Sequence, residues 1–379
     1  MRVSDLMTPA TLLDYDRLKA NIRFMSARAR DNGVSLRPHI KTHKCLEIAE
    51  LQKNFGAAGI AASTIGEAQH FARNGFKDIT LAVPIAQDKM PAIKQLAVRA
   101  DLKILVDHPT SVSHLVSALK GTKMELDVLI KVDCAYGRSG VDPSKRSSIR
   151  LVERISKARR LRFAGLLTHG GHSYSATSEE GIIKAADDES QAVLQFASLL
   201  RKENPNLAPE TISIGSTPTM MVRDVIADGI TEVRPGNYVF FDYTQVALGM
   251  CRAYNCALTV LASVIGSFKD RLVVDAGATA LSMDEGPTHI HPDCGYGKVF
   301  SDYEEGAFAK STTITALSQE HGKVAIGRDS PLKKAKPGSR LRILPNHSCL
   351  TANLTDEYYV TSGAEVIDIW NVYRRRIVT

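Results

Sequence analysis

Arg37-Pro38-His39-Ile40-Lys41-Thr42-His43-Lys44 crowds two lysines and two histidines into residues 39–44. Neighbouring cations lower a lysine's proton affinity, and a partly neutral amine can form a Schiff base with an aldehyde cofactor. The same residues also suit a solvated basic turn. In Lys131-Val132-Asp133-Cys134-Ala135-Tyr136-Gly137-Arg138-Ser139-Gly140-Val141, glycines flank Arg138. An arginine so placed can donate to a phenolate oxygen, or make an ordinary loop ion pair. In Thr168-His169-Gly170-Gly171-His172-Ser173-Tyr174, two glycines let backbone approach a ligand, and His169 and Tyr174 offer donors. His172 reads as a satisfied turn histidine.

Two further turns suit an anion. Ser213-Ile214-Gly215-Ser216-Thr217-Pro218-Thr219 leads into a helix, with Pro218 at the first helical position. Backbone N–H and hydroxyl groups there can hold a phosphate, or Ser216 or Thr217 simply caps the helix. Arg234-Pro235-Gly236-Asn237-Tyr238 is a second such turn. His347 and Cys349 form an H-x-C pair, which in an extended segment puts both side chains on one face. Imidazole plus thiolate suits Zn2+, with water or substrate completing the shell. The plainer alternative is a buried small thiol and a surface histidine. Ser318-Gln319-Glu320-His321-Gly322 reads as supporting groups for such a site or as a turn.

Short apolar runs alternate with amphipathic stretches, which places these loops. Strands are expected at 34–38, 59–63, 78–83, 102–106, 126–132, 161–167, 211–214 and 232–233. Helices are expected at 16–32, 45–54, 65–74, 89–99, 109–119, 142–158, 178–202 and 219–225. A strand region is also expected at 239–241. About eight strand–helix units in roughly 240 residues imply a parallel sheet closed into a (β/α)8 barrel, whose sites gather beyond the strands' C-terminal ends. After about residue 248 the texture becomes short strands broken by Gly, Pro and Asn: 255–267, 271–276, 324–326, 340–343, 358–361 and 366–370. The reading is an α/β barrel over residues 12–247 and a β-rich domain over 248–379, which residues 1–11 are free to join.

The 379 residues, 44% apolar and 23% charged, are those of an ordinary globular protein, and exclude a disordered, collagen-like or coiled-coil chain. The net charge of +7 suits small anionic ligands. No Lys/Arg run interleaved with aromatics points to nucleic acid. The six cysteines contain no C-x-x-C pair, and no signal-like or membrane-spanning run is read, so a reducing cytoplasm is expected, with no membrane partner.

Together these loops resemble the fold-type III pyridoxal-phosphate (PLP) enzymes, the alanine-racemase-like group. More narrowly, the chain resembles the D-serine dehydratase / D-threo-3-hydroxyaspartate dehydratase / D-threonine aldolase family. The likeness runs through Thr8-Pro9-Ala10, residues 36–44, Gly137-Arg138-Ser139-Gly140-Val141, Thr168-His169-Gly170 and residues 213–219. It continues through residues 232–238, Phe241-Asp242, Val274-Asp275-Ala276-Gly277, and residues 319–322 and 341–349. The R-P-H-x-K-x-x-K loop together with the H-x-C pair is its specific part.

The resemblance implies a PLP-carrying barrel completed by a C-terminal β-rich domain. It implies that Lys41, not Lys44, bonds the cofactor and that Arg138 meets the phenolate oxygen. His169, Tyr174, Gly215, Ser216, Thr217, Gly236 and Asn237 would contact the cofactor. His347 and Cys349 would hold a divalent metal, Zn2+ or Mn2+. The expected reaction removes water from a D-3-hydroxy amino acid, D-threo-3-hydroxyaspartate or D-serine, leaving a 2-oxo acid and ammonia. The preference for the D-configuration comes from the resemblance alone. The nearest alternative is aldol cleavage of D-threonine or D-3-hydroxyaspartate to glycine and an aldehyde. In such families Cys at the second metal position goes with dehydratases and Asp with aldolases. A non-catalytic PLP carrier is the distant alternative, and a homodimer is the expected assembly.

Overall fold

Leu18, Ile22, Met25 and Ala29 recur at helical spacing, and all four are buried on one face of the helix Tyr15–Asp31. Asp14 caps this helix by accepting from Arg17 N at 3.0 Å. The structure, a computed structural model, describes residues 1–374; residues 375–379 of the expected second domain lie outside the described residues.

The apolar runs that follow form eight parallel strands. Ser35–Leu36 pairs with Glu232–Val233, and the order continues through Thr211–Ile214, Leu161–Leu167, Leu126–Lys131, Asp101–Val106 and Asp78–Pro84 to Ile60–Ala62. The two end strands meet. Ala58 N donates to Leu36 O at 2.8 Å, and Ala61 N to Pro38 O and Ile40 N to Ala61 O at 2.9 Å each. A bridge between His39 and Ala61 completes the ring, so the sheet is a closed barrel. A helix follows every barrel strand: Leu46–Asn54, Ile65–Arg73, Met90–Ala97, Pro109–Leu119, Arg146–Lys157, Glu179–Glu203, Thr217–Met221 and Tyr243–Ala247.

Polar groups tie the barrel near its seam. Arg37 donates to Glu232 Oε2 at 2.6 Å and to both carboxylate oxygens of Asp78 at 2.8 Å. The other oxygen of Glu232 accepts from Ser213 Oγ at 2.6 Å, and Ser213 Oγ accepts from Arg234 Nε at 2.9 Å.

The second sheet has ten strands. Its main path runs Ala307–Phe308, Lys298–Asp302, Arg340–Leu344, Leu258–Ser267, Ala10–Asp14, Glu357–Ser362, Glu365–Asn371. Beyond a bulge at residues 264–266, Leu258–Ser267 also pairs with Arg271–Val274, which leads to Gly322–Ile326 and Thr312–Leu317. The N-terminal strand Ala10–Asp14 lies inside this sheet, antiparallel to Leu258–Ser267 and parallel to Glu357–Ser362.

Three local expectations are corrected. Residues 239–241 are not a strand: a 3-10 turn occupies Asn237–Val239, because Phe240 N and Phe241 N fold back onto Asn237 O. The helix expected at 219–225 is Thr217–Met221, started by Ser216, whose hydroxyl accepts from Thr219 N while Thr219 Oγ1 accepts from Ser216 N. Pro218 is therefore its second residue. Among the described residues, no helix is long and apolar enough to cross a membrane.

Candidate active site

The barrel loops and the second domain enclose a cavity of about 820 Å3. Lys41, Arg138, His169, Tyr174, Gly215, Ser216, Thr217, Gly236, Asn237, His347 and Cys349 all line it. The barrel residues come from the C-terminal ends of five strands, the face where such barrels collect ligands.

Lys41 and Lys44 part company. Lys44 Nζ donates to Asn353 Oδ1 at 2.5 Å and lies 3.4 Å from Glu67 Oε1. Lys41 lines the cavity, and its amine has no hydrogen-bond or ion-pair partner among the described residues. Burial lowers the pKa of Lys41, the nearby Cys349 opposes this, and Arg138 and Arg234 add to the lowering. Burial, with Lys41 beside them, also keeps His39 and His169 far below the usual histidine range. His169 Nδ1 lies 3.2 Å from Gly215 O. A carbonyl only accepts, so Nδ1 carries the proton and Nε2 keeps its lone pair.

The anion turns lie side by side. The N–H groups of Gly236 and Asn237 donate to no other group among the described residues. A Cβ on Gly236 would meet Thr42 Oγ1 at 2.8 Å and His39 O at 3.0 Å, so glycine is what fits against the Lys41 loop. Ser216 is largely committed to its cap, and its hydroxyl also lies 2.9 Å from Ser173 Oγ. Thr217 Oγ1 accepts from Tyr238 N at 3.0 Å. Burial, then Cys349 and Asp242, hold the Tyr174 phenol in its protonated form. Arg138 sits on an exposed loop, with its guanidinium 5.1 Å over the Tyr136 ring.

His347 and Cys349 do not lie on an extended segment, which corrects the expectation. His347 is extended, but Ser348–Ala352 is helical, because Asp242 Oδ2 accepts from Ser348 N at 2.9 Å and starts that turn. The two side chains still line one cavity. Burial disfavours the His347 cation, yet the Cys349 thiolate beside it outweighs burial and raises the pKa to about 10. For Cys349, burial raises the pKa, but His347, Thr42 and Lys41 overcome it and leave the thiol lowered. No cluster of three or more His, Cys, Asp or Glu able to hold a metal occurs among the described residues. The pair thus brings one imidazole and one thiol to the cavity, with no third such group among the described residues beside them.

Sequence reasoning missed several groups. Asp242 is a hub: Oδ1 accepts from Gln245 N, and Oδ2 accepts from Asn237 Nδ2 at 2.7 Å and lies 3.5 Å from His347 Nδ1. Asn237 Nδ2 also donates to Ser348 Oγ at 2.8 Å and lies 3.7 Å from Cys349 Sγ. Glu189 is fully buried; its Oε1 accepts from Gly170 N at 2.6 Å and Gly215 N at 2.9 Å, and its Oε2 from Thr219 Oγ1 at 2.9 Å. Lys131 and Arg234 also line the cavity, and burial lowers their pKa values to about 8 and about 10. A basic residue ending or following an apolar barrel strand was the signal available for both. Ser318–Gly322 falls outside the cavity lining: Ser318 N donates to His321 O in the turn between Thr312–Leu317 and Gly322–Ile326.

Comparison with known proteins matches residues 13–244 to the alanine racemase N-terminal domain and residues 257–361 to the putative serine dehydratase domain. D-threo-3-hydroxyaspartate dehydratase of Delftia sp. (strain HT23) is 36% identical, over 96% of this chain and 97% of that one. D-serine dehydratase of Dictyostelium discoideum is 35% identical over 95% of each. D-threonine aldolase of Arthrobacter sp. is 30% identical over 97% of this chain and 92% of that one. A solved structure of D-threo-3-hydroxyaspartate dehydratase, a cysteine-to-alanine variant in the metal-free form, superposes with a TM-score of 0.91. It is 34% identical and covers 99% of this chain and 100% of that one.

Proposed function

The chain belongs to the alanine-racemase-like family that joins an alanine racemase N-terminal domain to a putative serine dehydratase domain, and on that premise we propose that it is a PLP- and divalent-metal-dependent lyase. It removes water from a D-3-hydroxy amino acid and releases a 2-oxo acid and ammonia. The observation that carries this reading is that unpartnered Lys41 and the His347/Cys349 pair, from different domains, line one cavity. That observation also weighs against a mere PLP carrier, which has no use for a thiol and imidazole brought in by a second domain.

The residues present fit the cofactor. A free buried amine suits an aldehyde. The unengaged N–H groups of Gly236 and Asn237 suit a phosphate, with the neighbouring turn at Gly215, Ser216 and Thr217. Arg138, with no ion-pair partner among the described residues, suits a phenolate oxygen. His169 and Tyr174 flank the same space. Imidazole and thiolate suit Zn2+ ahead of Mn2+ by ligand softness.

When bound, PLP supplies a sink for negative charge at Cα, and the metal supplies a Lewis acid for the departing hydroxyl. The chain's own residues do the rest. Lys41, less basic than a free lysine, takes the Cα proton once its nitrogen is released. Neutral Tyr174 keeps a donor facing the cavity. Asp242 orients His347 through Nδ1, and Thr42 steadies the thiolate. The same reading takes in a homodimer and a cytoplasmic location. Six free cysteines, four of them buried, accord with a reducing compartment.

Aldol cleavage uses the same residues, and the cysteine at position 349 is what favours dehydration over it. Product analysis on D-serine, D-threo-3-hydroxyaspartate and D-threonine, with and without chelator, tests this. Pyruvate or oxaloacetate with ammonia is expected; glycine with an aldehyde as the main products would overturn it.

A further inference from the structure

The cavity wall beside His347 carries one carboxylate that the proposed chemistry does not use. Asp284 is the only Asp or Glu in the cavity lining among the described residues, whereas four cationic side chains, Lys41, Lys131, Arg138 and Arg234, line the same cavity from the barrel strands' ends and loops. Asp284 is held in place. Asn346, the residue before His347, donates through Nδ2 to Asp284 O at 2.9 Å and to Gly295 O at 2.7 Å. Gly286 N donates to Asp284 Oδ1 at 2.9 Å. Gly286 has a φ of +69°, and a Cβ there would meet Asn346 Cγ at 2.6 Å, so the turn needs glycine. The loop is also tied by Cys294 Sγ, which donates to Glu285 O at 3.0 Å. The second oxygen, Oδ2, has no hydrogen-bond or ion-pair partner among the described residues, and the carboxylate acts on His347 only through its charge.

A D-3-hydroxy amino acid must bring its amino group to the Lys41 side and its hydroxyl to the His347/Cys349 pair. The β-substituent shares a carbon with that hydroxyl, so it falls within a bond or two of the pair, on the part of the lining where Asn346 ties the Asp284 loop, with Pro287 and His289, to His347. Hydrogen or methyl carries no charge and meets Asp284 at no electrostatic cost. A second carboxylate meets Asp284, and like charges in a partly desolvated cavity repel strongly.

Resting on the function proposed above, we propose that Asp284 is a specificity-determining residue. It admits D-3-hydroxy amino acids with an uncharged β-substituent, the D-serine class, and rejects those with a second carboxylate, the D-3-hydroxyaspartate class.

The test uses wild-type and Asp284→Asn holoenzyme, since the amide keeps an oxygen for Gly286 N–H. Each is titrated with D-alanine and D-aspartate, which differ by one carboxylate and have no hydroxyl to lose. Binding is read from the visible absorbance of the cofactor. Wild type should bind D-alanine at least about tenfold more tightly than D-aspartate. Asp284→Asn should close most of that gap by improving D-aspartate. In turnover, the same change should reduce the kcat/KM preference for D-serine over D-threo-3-hydroxyaspartate by at least about tenfold. Wild type that binds D-aspartate as well as D-alanine overturns the proposal without any variant. So does a variant that shifts both amino acids equally. If neither hydroxy amino acid yields a 2-oxo acid, the dehydratase reading fails, and the comparison of the two analogues still decides the role of Asp284.

Discussion

Thr42 Oγ1 and Cys349 Sγ are hydrogen bonded at 3.3 Å. That contact joins the barrel loop carrying Lys41 to the short helix Ser348–Ala352 of the other sheet's domain. It is reinforced where Tyr358 Oη donates to His43 O at 2.8 Å and where Asn237 Nδ2 reaches Ser348 Oγ. Amine and thiol are thus set relative to each other by bonds that cross between domains, and neither domain alone has the site.

The first prediction concerns this bond. Thr42→Val removes a hydroxyl from the thiolate while keeping shape. Metal affinity should fall about 10–100-fold, the usual cost of losing a group that supports a metal ligand. Competition with a calibrated chelator measures it. Unchanged affinity would make the bond a packing detail.

Lys41 and Lys44 should separate cleanly. Borohydride trapping followed by peptide mass analysis should place the PLP label on Lys41. Lys41→Ala should abolish labelling. Lys44→Ala should retain it but lose stability, because Lys44 serves Asn353 and Glu67. A label on Lys44 would refute the assignment.

The barrel was legible because its strands are continuous apolar runs, each followed by an amphipathic stretch, and parallel strands buried on both faces look like that. Every barrel loop read as chemical reached the cavity, because a barrel puts all its strand ends on one side, whereas Ser318–Gly322 of the second domain did not. What stayed hidden depends on long-range pairing. Residues 1–11 read as free to join the second domain, but nothing local marks Ala10–Asp14 as a strand inside a sheet whose other strands begin at residue 258, so residues 12–14 read as part of the barrel. Residues 239–241 have strand-like composition, yet the chain turns on Asn237 O, a choice made by the surrounding packing. Asp242 and Glu189 matter through partners up to 106 positions away, as in Ser348 N to Asp242, and spacing along a single sequence does not encode such pairs.

Buried Lys131 makes stability depend on pH. Its folded pKa is about 8, against an ordinary 10.5. Between these values the unfolded chain binds more protons, so this group makes stability rise with pH through the window. At about 1.4 kcal/mol per unit, the effect is about 3 kcal/mol. In cofactor-free protein, Lys131→Met should be more stable than wild type near pH 8, and that advantage should shrink by about this amount toward pH 10.5. Urea unfolding of both proteins across the range reads it. A difference independent of pH would mean that Lys131 is charged in both states.

Glu189 holds the loops after two barrel strands through one carboxylate. Glu189→Ala strands two N–H groups in a dry interior and should cost about 3 kcal/mol or more of unfolding free energy. Glu189→Gln keeps one acceptor oxygen and should cost less. PLP affinity should follow the same order, since Gly215 opens the turn that lines the cavity. Equal effects of the two variants would show that the carboxylate charge, not its hydrogen bonds, is what matters.

Metal removal is the test on which dehydration stands. The His347/Cys349 pair and Lys41 line one cavity but come from different elements, so one function can be lost without the other. Chelation should abolish 2-oxo acid formation while borohydride still traps PLP on Lys41. Exchange of the Cα proton with solvent should survive, because it needs only the lysine and the cofactor. Cys349→Ala should reproduce the chelated state and resist rescue by Zn2+. Cys349→Asp exchanges a soft ligand for a hard one, so activity should return with Mn2+ rather than Zn2+, with a larger share of aldol products. Full dehydration by rigorously metal-free protein would return the thiol and imidazole to a structural role, since hydroxide leaves slowly without a Lewis acid to take up its charge.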